Sequence, residues 1–139
     1  MSNLRKFAVS QTARLHLRDA NENLMYADAE QKLPIAANLF GPASKEYAKA
    51  QSAQSNRVMN RLKAKGKIEQ TAEQKQQEDA DFLADITQSF ENLEDGKPVT
   101  TDRATILAQY LDAEIGFVRD QVAKHIGDWS NFTKPSATN

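Results

Sequence analysis

The chain contains two histidines, His16 and His125, and they are its only imidazole groups. Neither belongs to an H-E-x-x-H motif or to another pair at metal-binding spacing, so the sequence predicts no histidine metal site. His125 lies near Gln121 and Asp128 on the last predicted helix, where a carboxylate could orient a histidine base. No nucleophile accompanies this group, and we therefore interpret His125 as a helix-surface histidine.

Three acidic residues share a predicted helical face and could hold a hard cation, namely Glu78, Asp81 and Asp85. We interpret them instead as a solvated acidic face. Ser44 lies outside any G-x-S-x-G motif and is predicted to cap a helix. The chain has no cysteine, and its five glycines are isolated, which excludes thiol chemistry and a glycine-rich phosphate loop. These patterns predict no catalytic residue, no metal site and no cofactor, so we expect a protein that is not an enzyme.

Length and composition predict a single domain over residues 1–139, because 139 residues with 40% hydrophobic content suffice for one modest core. The sequence contains no apolar run near 18 residues and no charged-then-apolar leader, so we expect a cytosolic protein without a membrane span. The net charge of -1 argues against a nucleic-acid binder that uses its whole surface. A nucleic-acid-binding role would have to be local.

The N-terminal third, residues 1–43, is predicted to form a small antiparallel β-meander. Residues 12–18 alternate between apolar and polar side chains, which is typical of a strand. Residues 25–27 are expected to form a short middle strand, and residues 33–40 a third one with Pro34 at its start. We therefore expect the whole sheet to precede the helices.

A helical hairpin is predicted over residues 44–94. The first helix runs from a cap at Ser44 to about residue 65, before Gly66, and the second opens with capping-box spacing at residues 71–74. The second helix is expected to continue to about residue 93, because apolar side chains recur at helical intervals. This stripe comprises Phe82, Ile86, Phe90 and Leu93.

Two C-terminal helices are predicted over residues 101–132, followed by a flexible tail at residues 133–139. Their large apolar side chains recur at intervals of three and four residues, and we expect them to form the main core. The predicted core residues are Ile106, Leu107, Tyr110, Leu111, Ile115, Val118, Val122, Ile126 and Trp129. The predicted fold class is therefore α+β and mainly α, with an N-terminal meander followed by four helices.

The charges of the predicted hairpin are segregated, since its first helix is basic and its second is acidic. The basic patch consists of Arg57, Arg61, Lys63, Lys65 and Lys67. One interpretation is that the two helices attract each other across the hairpin, which costs little chain entropy. The other is that the basic helix binds an acidic partner or phosphate groups. We favour the first interpretation, since the two helices are adjacent in the chain.

Phe117 is predicted to lie on the side of the last helix opposite Val118 and Val122, next to Asp120 and Lys124. A phenylalanine is unexpected among such charged neighbours. Either it packs beneath the preceding helix at Gly116, or it is an exposed anchor for a partner.

Three stretches of the sequence resemble phage tail assembly chaperones of long-tailed phages. The first is Leu39-Phe40-Gly41-Pro42-Ala43-Ser44-Lys45-Glu46-Tyr47, which is similar to the segment where those proteins leave a small N-terminal sheet. The others are Tyr110-Leu111-Asp112 and the segments 116–122 and 128–132, which are similar to their helical end. Asp112-Ala113 departs from the Asp-Pro helix start of that family. The resemblance spans most of the chain through short motifs.

The resemblance implies an assembly factor in the host cytoplasm that binds the long helical tape measure protein, keeps it soluble and helps recruit tail tube subunits. Tape measure protein and tail tube protein are then the expected partners, with self-association as a further possibility. We predict that Tyr47, Val58, Leu62 and Phe117 lie at or near the binding surface, because amphipathic helices dock in apolar grooves. The alternative is a nucleic-acid-binding regulator that uses the basic stretch 57–67.

Overall fold

The computed structural model describes residues 3–66 and 70–134, which form an α+β fold around one antiparallel sheet. The sheet has four strands in the order β1-β2-β3-β4, and each neighbouring pair is antiparallel. The strands are β1 (Thr12–His16), β2 (Ala36–Phe40), β3 (Thr87–Glu94) and β4 (Lys97–Thr100).

Four α-helices lie along the described chain, in two pairs. The pair α1 (Lys45–Lys65) and α2 (Ala72–Asp85) is inserted between β2 and β3, whereas α3 (Arg103–Leu111) and α4 (Gly116–Ile126) follow the sheet. Short 3-10 helices are present at Asn3–Phe7, Ala113–Ile115 and Trp129–Phe132. Pairs of strands and pairs of α-helices therefore alternate along the sequence.

The predicted N-terminal meander is wrong, because β1 and β2 supply only half of a sheet that β3 and β4 complete. The predicted middle strand at residues 25–27 is not a ladder strand, and only the isolated bridges Arg18↔Leu24 and Tyr26↔Pro34 occur there. Local side-chain bonds explain the difference. The carboxylate of Asp28 accepts the backbone N–H groups of residues 32 and 33 at 3.0 and 2.8 Å, which holds a turn instead of a strand.

The predicted second helix is also too long, because α2 ends at Asp85 and the chain enters β3 at Thr87. The apolar residues Phe90 and Leu93 fit a helical repeat, yet Phe90 pairs with Ala37 of β2. The dipeptide Asp95-Gly96 closes a hairpin between β3 and β4, and Gly96 has φ = 75°, a value that favours glycine. The corrected fold class is therefore α+β with its strands interspersed among the helices.

The core lies between one face of the sheet and the helices. Leu39 of β2 and Phe90 of β3 are buried on this face, and the ring of Phe90 lies 5.8 Å from that of Tyr110 on α3. Thr87 Oγ1 donates to the Leu83 carbonyl at 2.7 Å and lies 2.6 Å from the Tyr110 hydroxyl. Burial raises the pKa of Tyr110 well above its usual value. The hydroxyl groups of Thr87 and Tyr110 inside this core are thus hydrogen-bonded to each other.

The predicted C-terminal helix pair is confirmed as α3 and α4. Most of its predicted core residues are buried or half-buried, namely Ile106, Leu107, Tyr110, Leu111, Ile115, Val118, Val122 and Ile126. Trp129 is an exception, because 57% of its surface is exposed. Phe132, which follows it in the same 3-10 helix, is buried. Of the predicted tail, only residues 133 and 134 lie within the described part of the chain.

Phe132 closes the core at the junction between β2 and α1. Its ring occupies the space beside Gly41, where an added Cβ would lie 2.4 to 2.9 Å from the ring carbons. The Phe132 carbonyl accepts the backbone N–H of Ser10 at 2.6 Å. The last described turn is therefore fixed to the start of the chain and to the β2-α1 connection.

Candidate partner-binding surfaces on helix α1

Helix α1 begins at the predicted cap. The Tyr47 N–H donates to Ser44 Oγ at 3.1 Å, and the Ser44 hydroxyl donates to the Gly41 carbonyl at 2.7 Å. Gly66 ends the helix at φ = 70° and donates its N–H to the Leu62 carbonyl. Ser44 is buried and both of its hydrogen-bonding roles are structural, which confirms the cap interpretation.

The inner face of α1 pairs with the acidic helix α2. Arg57 lies 3.4 Å from the Asp85 carboxylate, and Arg61 bonds to Glu78 with both side chains about one-eighth exposed, at 12% and 13%. Because the later arginine pairs with the earlier acid, the two helices pack antiparallel. The attraction predicted between the basic and acidic helices is confirmed for these two pairs.

The predicted basic patch is consequently divided between two environments. Arg57 and Arg61 neutralise carboxylates of α2, whereas Lys63 and Lys65 are exposed. Lys67 lies outside the described residues. A phosphate-binding surface at 57–67 would therefore lack both arginines, because their charges are already balanced within the fold.

The interpretation of Glu78, Asp81 and Asp85 as a solvated acidic face is wrong, because all three carboxylates form ion pairs. Arg103 of α3 lies 2.9 Å from Asp85 and 3.3 Å from Asp81, while Glu78 bonds to Arg61. Each of these carboxylates is therefore neutralised by a guanidinium group. Over residues 3–66 and 70–134, no cluster of three or more histidine, cysteine or acidic side chains is arranged to bind a metal.

Both histidines pack against aromatic rings. His125 is half-buried with its ring 6.0 Å from that of Phe132, so its interpretation as a surface histidine is wrong. Burial lowers the pKa of His125, and the nearby Asp128 carboxylate partly opposes this shift. His16 lies 4.9 Å from the Tyr26 ring and bonds through Nε2 to the Met25 carbonyl at 2.8 Å. These contacts give both imidazoles a structural role.

An apolar groove of about 360 Å³ lies between α1, α2 and α4. At one end, the rings of Tyr47 and Phe82 meet edge to face with their centroids 5.6 Å apart. The groove is lined by Tyr47, Asp79, Phe82, Leu83, Arg119, Asp120, Ala123, Ile126 and Gly127. Apolar side chains thus form much of its lining, and three charged residues stand among them.

The four residues predicted at a binding surface occupy different environments. Tyr47 lines the groove and is half-buried, Val58 is half-buried, and Leu62 is 38% exposed. Phe117 is half-buried and packs against the core, which favours the packing account over the exposed anchor. By the 100° helical step, Val58 lies on the same side of α1 as Tyr47, and Leu62 lies about 60° further around the helix, at the edge of its outer side. Phe117 lies on α4.

The sequence interpretation missed Met59, which is 49% exposed and lies one turn before Leu62. The i, i+3 spacing of these two residues was a readable signal. It also missed the contributions of Ala123 and Ile126 to the groove, because three separate elements must meet before those residues line one surface.

Within the described ranges, no helix combines the length and the apolar character needed to cross a membrane. Comparisons with protein-family models, with curated proteins and with solved structures found no significant match to this chain. The resemblance to tail assembly chaperones therefore rests on the sequence segments that carry it.

Proposed function

We propose that this protein is a phage tail assembly chaperone, which binds the tape measure protein, keeps it soluble and helps recruit tail tube subunits in the host cytoplasm. The resemblance of residues 39–47 and of the C-terminal helices supports this function. The groove between α1, α2 and α4 is the single structural observation that carries it. In this proposal the protein acts by binding, without catalysis.

The groove has the chemistry that an amphipathic helix needs. Its volume of about 360 Å³ is close to the lower end of the range of about 300 to 1,000 Å³ typical of binding pockets. Phe82, Leu83 and Ile126 offer apolar contacts to one or two anchoring side chains of a docked helix. A tape measure protein with long amphipathic helices would present such side chains repeatedly.

The charged residues of the groove would set the orientation of the bound helix. Arg119 lies 3.9 Å from Asp120, and Asp79 bonds to Lys75 at 2.8 Å, so neither acid lacks a cationic neighbour. Such exposed pairs contribute little affinity themselves. They favour partner helices whose polar residues match this pattern, which gives selectivity beyond the apolar contacts.

Co-expression with the tape measure protein of the same phage tests this function. Ala123→Arg would fill the groove from an exposed position of α4 without removing a core side chain. We expect the wild-type protein to keep the tape measure soluble and Ala123→Arg to lose most of that effect. Ala104→Arg, at an exposed position of α3 outside the groove, is the matched control and should behave as wild type.

The outcomes separate the function from the site. If the wild-type protein neither binds nor solubilises the tape measure protein, the proposed function is wrong. If wild type succeeds and Ala123→Arg succeeds equally well while it fills the groove, the function stands and the groove is not the binding site. Circular dichroism of each variant verifies that the fold is retained.

A further inference from the structure

A second feature of α1 lies on the side that faces away from α2. We define the outer stripe of α1 as Ala48, Ser52, Ser55, Met59 and Leu62, all of which are exposed. Successive members are separated by four, three, four and three residues, which is the spacing of the apolar seam in a coiled coil. The inner-face residues Ala50, Arg57 and Arg61 lie on the opposite side by the helical step.

The outer stripe combines small side chains at its start with large apolar ones at its end. Met59 is 49% exposed and Leu62 is 38% exposed, so two large apolar groups face solvent within one helical turn. Ser52 and Ser55 let another backbone approach closely, and Met59 adapts readily to the shape of a partner. A helix lying along this face would bury the two apolar side chains.

Unpaired lysines accompany the outer stripe. Lys45, Lys49 and Lys63 lie along one edge by the helical step, Lys65 lies toward the other, and all four are exposed. In the part of the chain that the structure describes, none of these lysines makes an ion pair with an acidic group. The only acid in α1, Glu46, lies on the inner half of the helix.

This arrangement selects one class of partner. A second copy of α1 would place lysines against lysines in either orientation, which is unfavourable beside a seam. A nucleic acid would have no use for the exposed Met59 and Leu62, and Arg57 is already paired with Asp85. An acidic amphipathic helix would satisfy both features, since its apolar stripe meets the seam and its carboxylates meet the lysines.

We propose that the outer stripe of α1 is a docking surface for an acidic amphipathic helix of another protein. The surface is separate from the groove at Tyr47 and does not depend on the chaperone function. The ammonium groups of Lys49 and Lys63 steer the acidic helix, and burial of Met59 and Leu62 stabilises the complex.

The probe for the test is a fluorescently labelled synthetic peptide of three heptads. It carries leucine at the first and fourth positions of each heptad, with glutamate at the two flanking positions, which also prevents the peptide from pairing with itself. Fluorescence anisotropy measures its binding to the full chain. We expect Met59→Glu combined with Leu62→Glu to weaken binding by about tenfold or more, because apolar burial is lost and like charges are introduced.

Three controls sharpen the measurement. Val99→Glu, at a position of β4 that is 51% exposed, should bind the peptide as wild type does. A peptide with lysine in place of glutamate should bind at least about tenfold more weakly to the wild-type chain. Added salt should weaken, and not abolish, binding of the acidic peptide, because part of the affinity is apolar.

Four results of the binding measurements would overturn the proposal. The first is that the acidic peptide does not bind the wild-type chain, and the second is that the lysine peptide binds it equally well. The third is that the doubly substituted chain binds the acidic peptide as wild type does. The fourth is that a random-sequence DNA duplex displaces the acidic peptide and binds the doubly substituted chain equally well. The last result would identify a phosphate-binding surface. Sedimentation of the wild-type chain as a dimer that Met59→Glu dissociates would identify a second copy as the occupant, and would also contradict the proposal.

Discussion

The sheet with its C-terminal helices and the helix α1 are stabilised by different means. Around β2 and β3, large side chains such as Phe90 and Tyr110 are buried, and the Tyr110 hydroxyl is hydrogen-bonded to Thr87. On α1, Ala50 is the only buried residue, and two arginines hold the helix to α2 through ion pairs. The first region is a closed core, whereas the second keeps an exposed face. This difference indicates that the core around the sheet specifies the fold, and that the exposed face of α1 is accessible to another molecule.

The largest effect is expected at the centre of the closed core. Phe90→Ala should destabilise the protein by about 3 to 5 kcal/mol, because it removes an almost fully buried ring from against Tyr110. Urea unfolding followed by circular dichroism measures this loss. Phe7→Ala, at a position that is 80% exposed, is the matched control and should have little effect. Equal losses for the two variants would contradict a core centred on the sheet.

The junction of the two regions provides the next test. Gly41→Ala should cost about 1 to 3 kcal/mol, because its Cβ would meet the Phe132 ring at 2.4 to 2.9 Å. Gly116→Ala is the matched control, since its Cβ would have only one neighbour, the Arg119 side chain at 3.6 Å. The control should be neutral or slightly stabilising because alanine favours helix. Thermal unfolding compares them, and a harmless Gly41→Ala would show that Phe132 is not tightly packed there.

A smaller effect is expected from an ion pair that fixes α1. Arg61→Met should cost about 1 to 1.5 kcal/mol, because it removes a charged hydrogen bond from the largely buried Glu78 carboxylate. A double-mutant cycle with Glu78→Gln isolates the pair from other contacts. We expect the double substitution to cost less than the sum of the two single ones. Additive losses would mean that the pair does not hold α1 to α2.

The smallest effect belongs to the exposed face of the sheet. Arg14 lowers the pKa of the Glu91 carboxyl, mainly through its hydrogen bond at 2.8 Å. The ion pair therefore stabilises the fold above the unfolded-state pKa of Glu91, and this stabilisation is lost as pH falls through the lower folded-state pKa. Arg14→Met should cost about 0.2 to 1 kcal/mol at pH 7. It should also make the loss of stability below about pH 4 less steep. Urea midpoints between pH 2 and 7 measure both, and an unchanged acid dependence would mean the pair is not formed in solution.

The sequence was sufficient for local features and insufficient for pairing between distant segments. Ser44, Thr71 and Gly66 define helix ends through bonds to neighbouring residues, and these boundaries were predicted closely. The spacing of Phe90 from Phe82 and Ile86 fits a helix as well as a strand, so the sequence pattern alone does not distinguish the two structures. Only pairing with Ala37, more than 50 residues away in the chain, decides for a strand. The Asp95-Gly96 turn signal was present and should have indicated the hairpin.

The candidate site shows the same division. Leu62 and the lysines of α1 are exposed in a pattern that a single helix determines, and they could be found in the sequence. The groove requires α1, α2 and α4 to come together, so Ala123 and Ile126 gave no signal of their own. The charge segregation was visible, but the structure was needed to show that arginines face inward and lysines outward.

The most direct test of this account is amide hydrogen exchange in the free protein and after addition of the tape measure protein, the partner that we propose. In the free protein, β2 and β3 should exchange slowest, and the second half of α1 should exchange faster, because it has few buried contacts. Binding should slow exchange in α1 and in α4 beside the groove, with little change in β2 and β3. If exchange in α1 is unchanged and new protection is confined to the sheet, the account is wrong, because the partner then contacts the sheet and not α1.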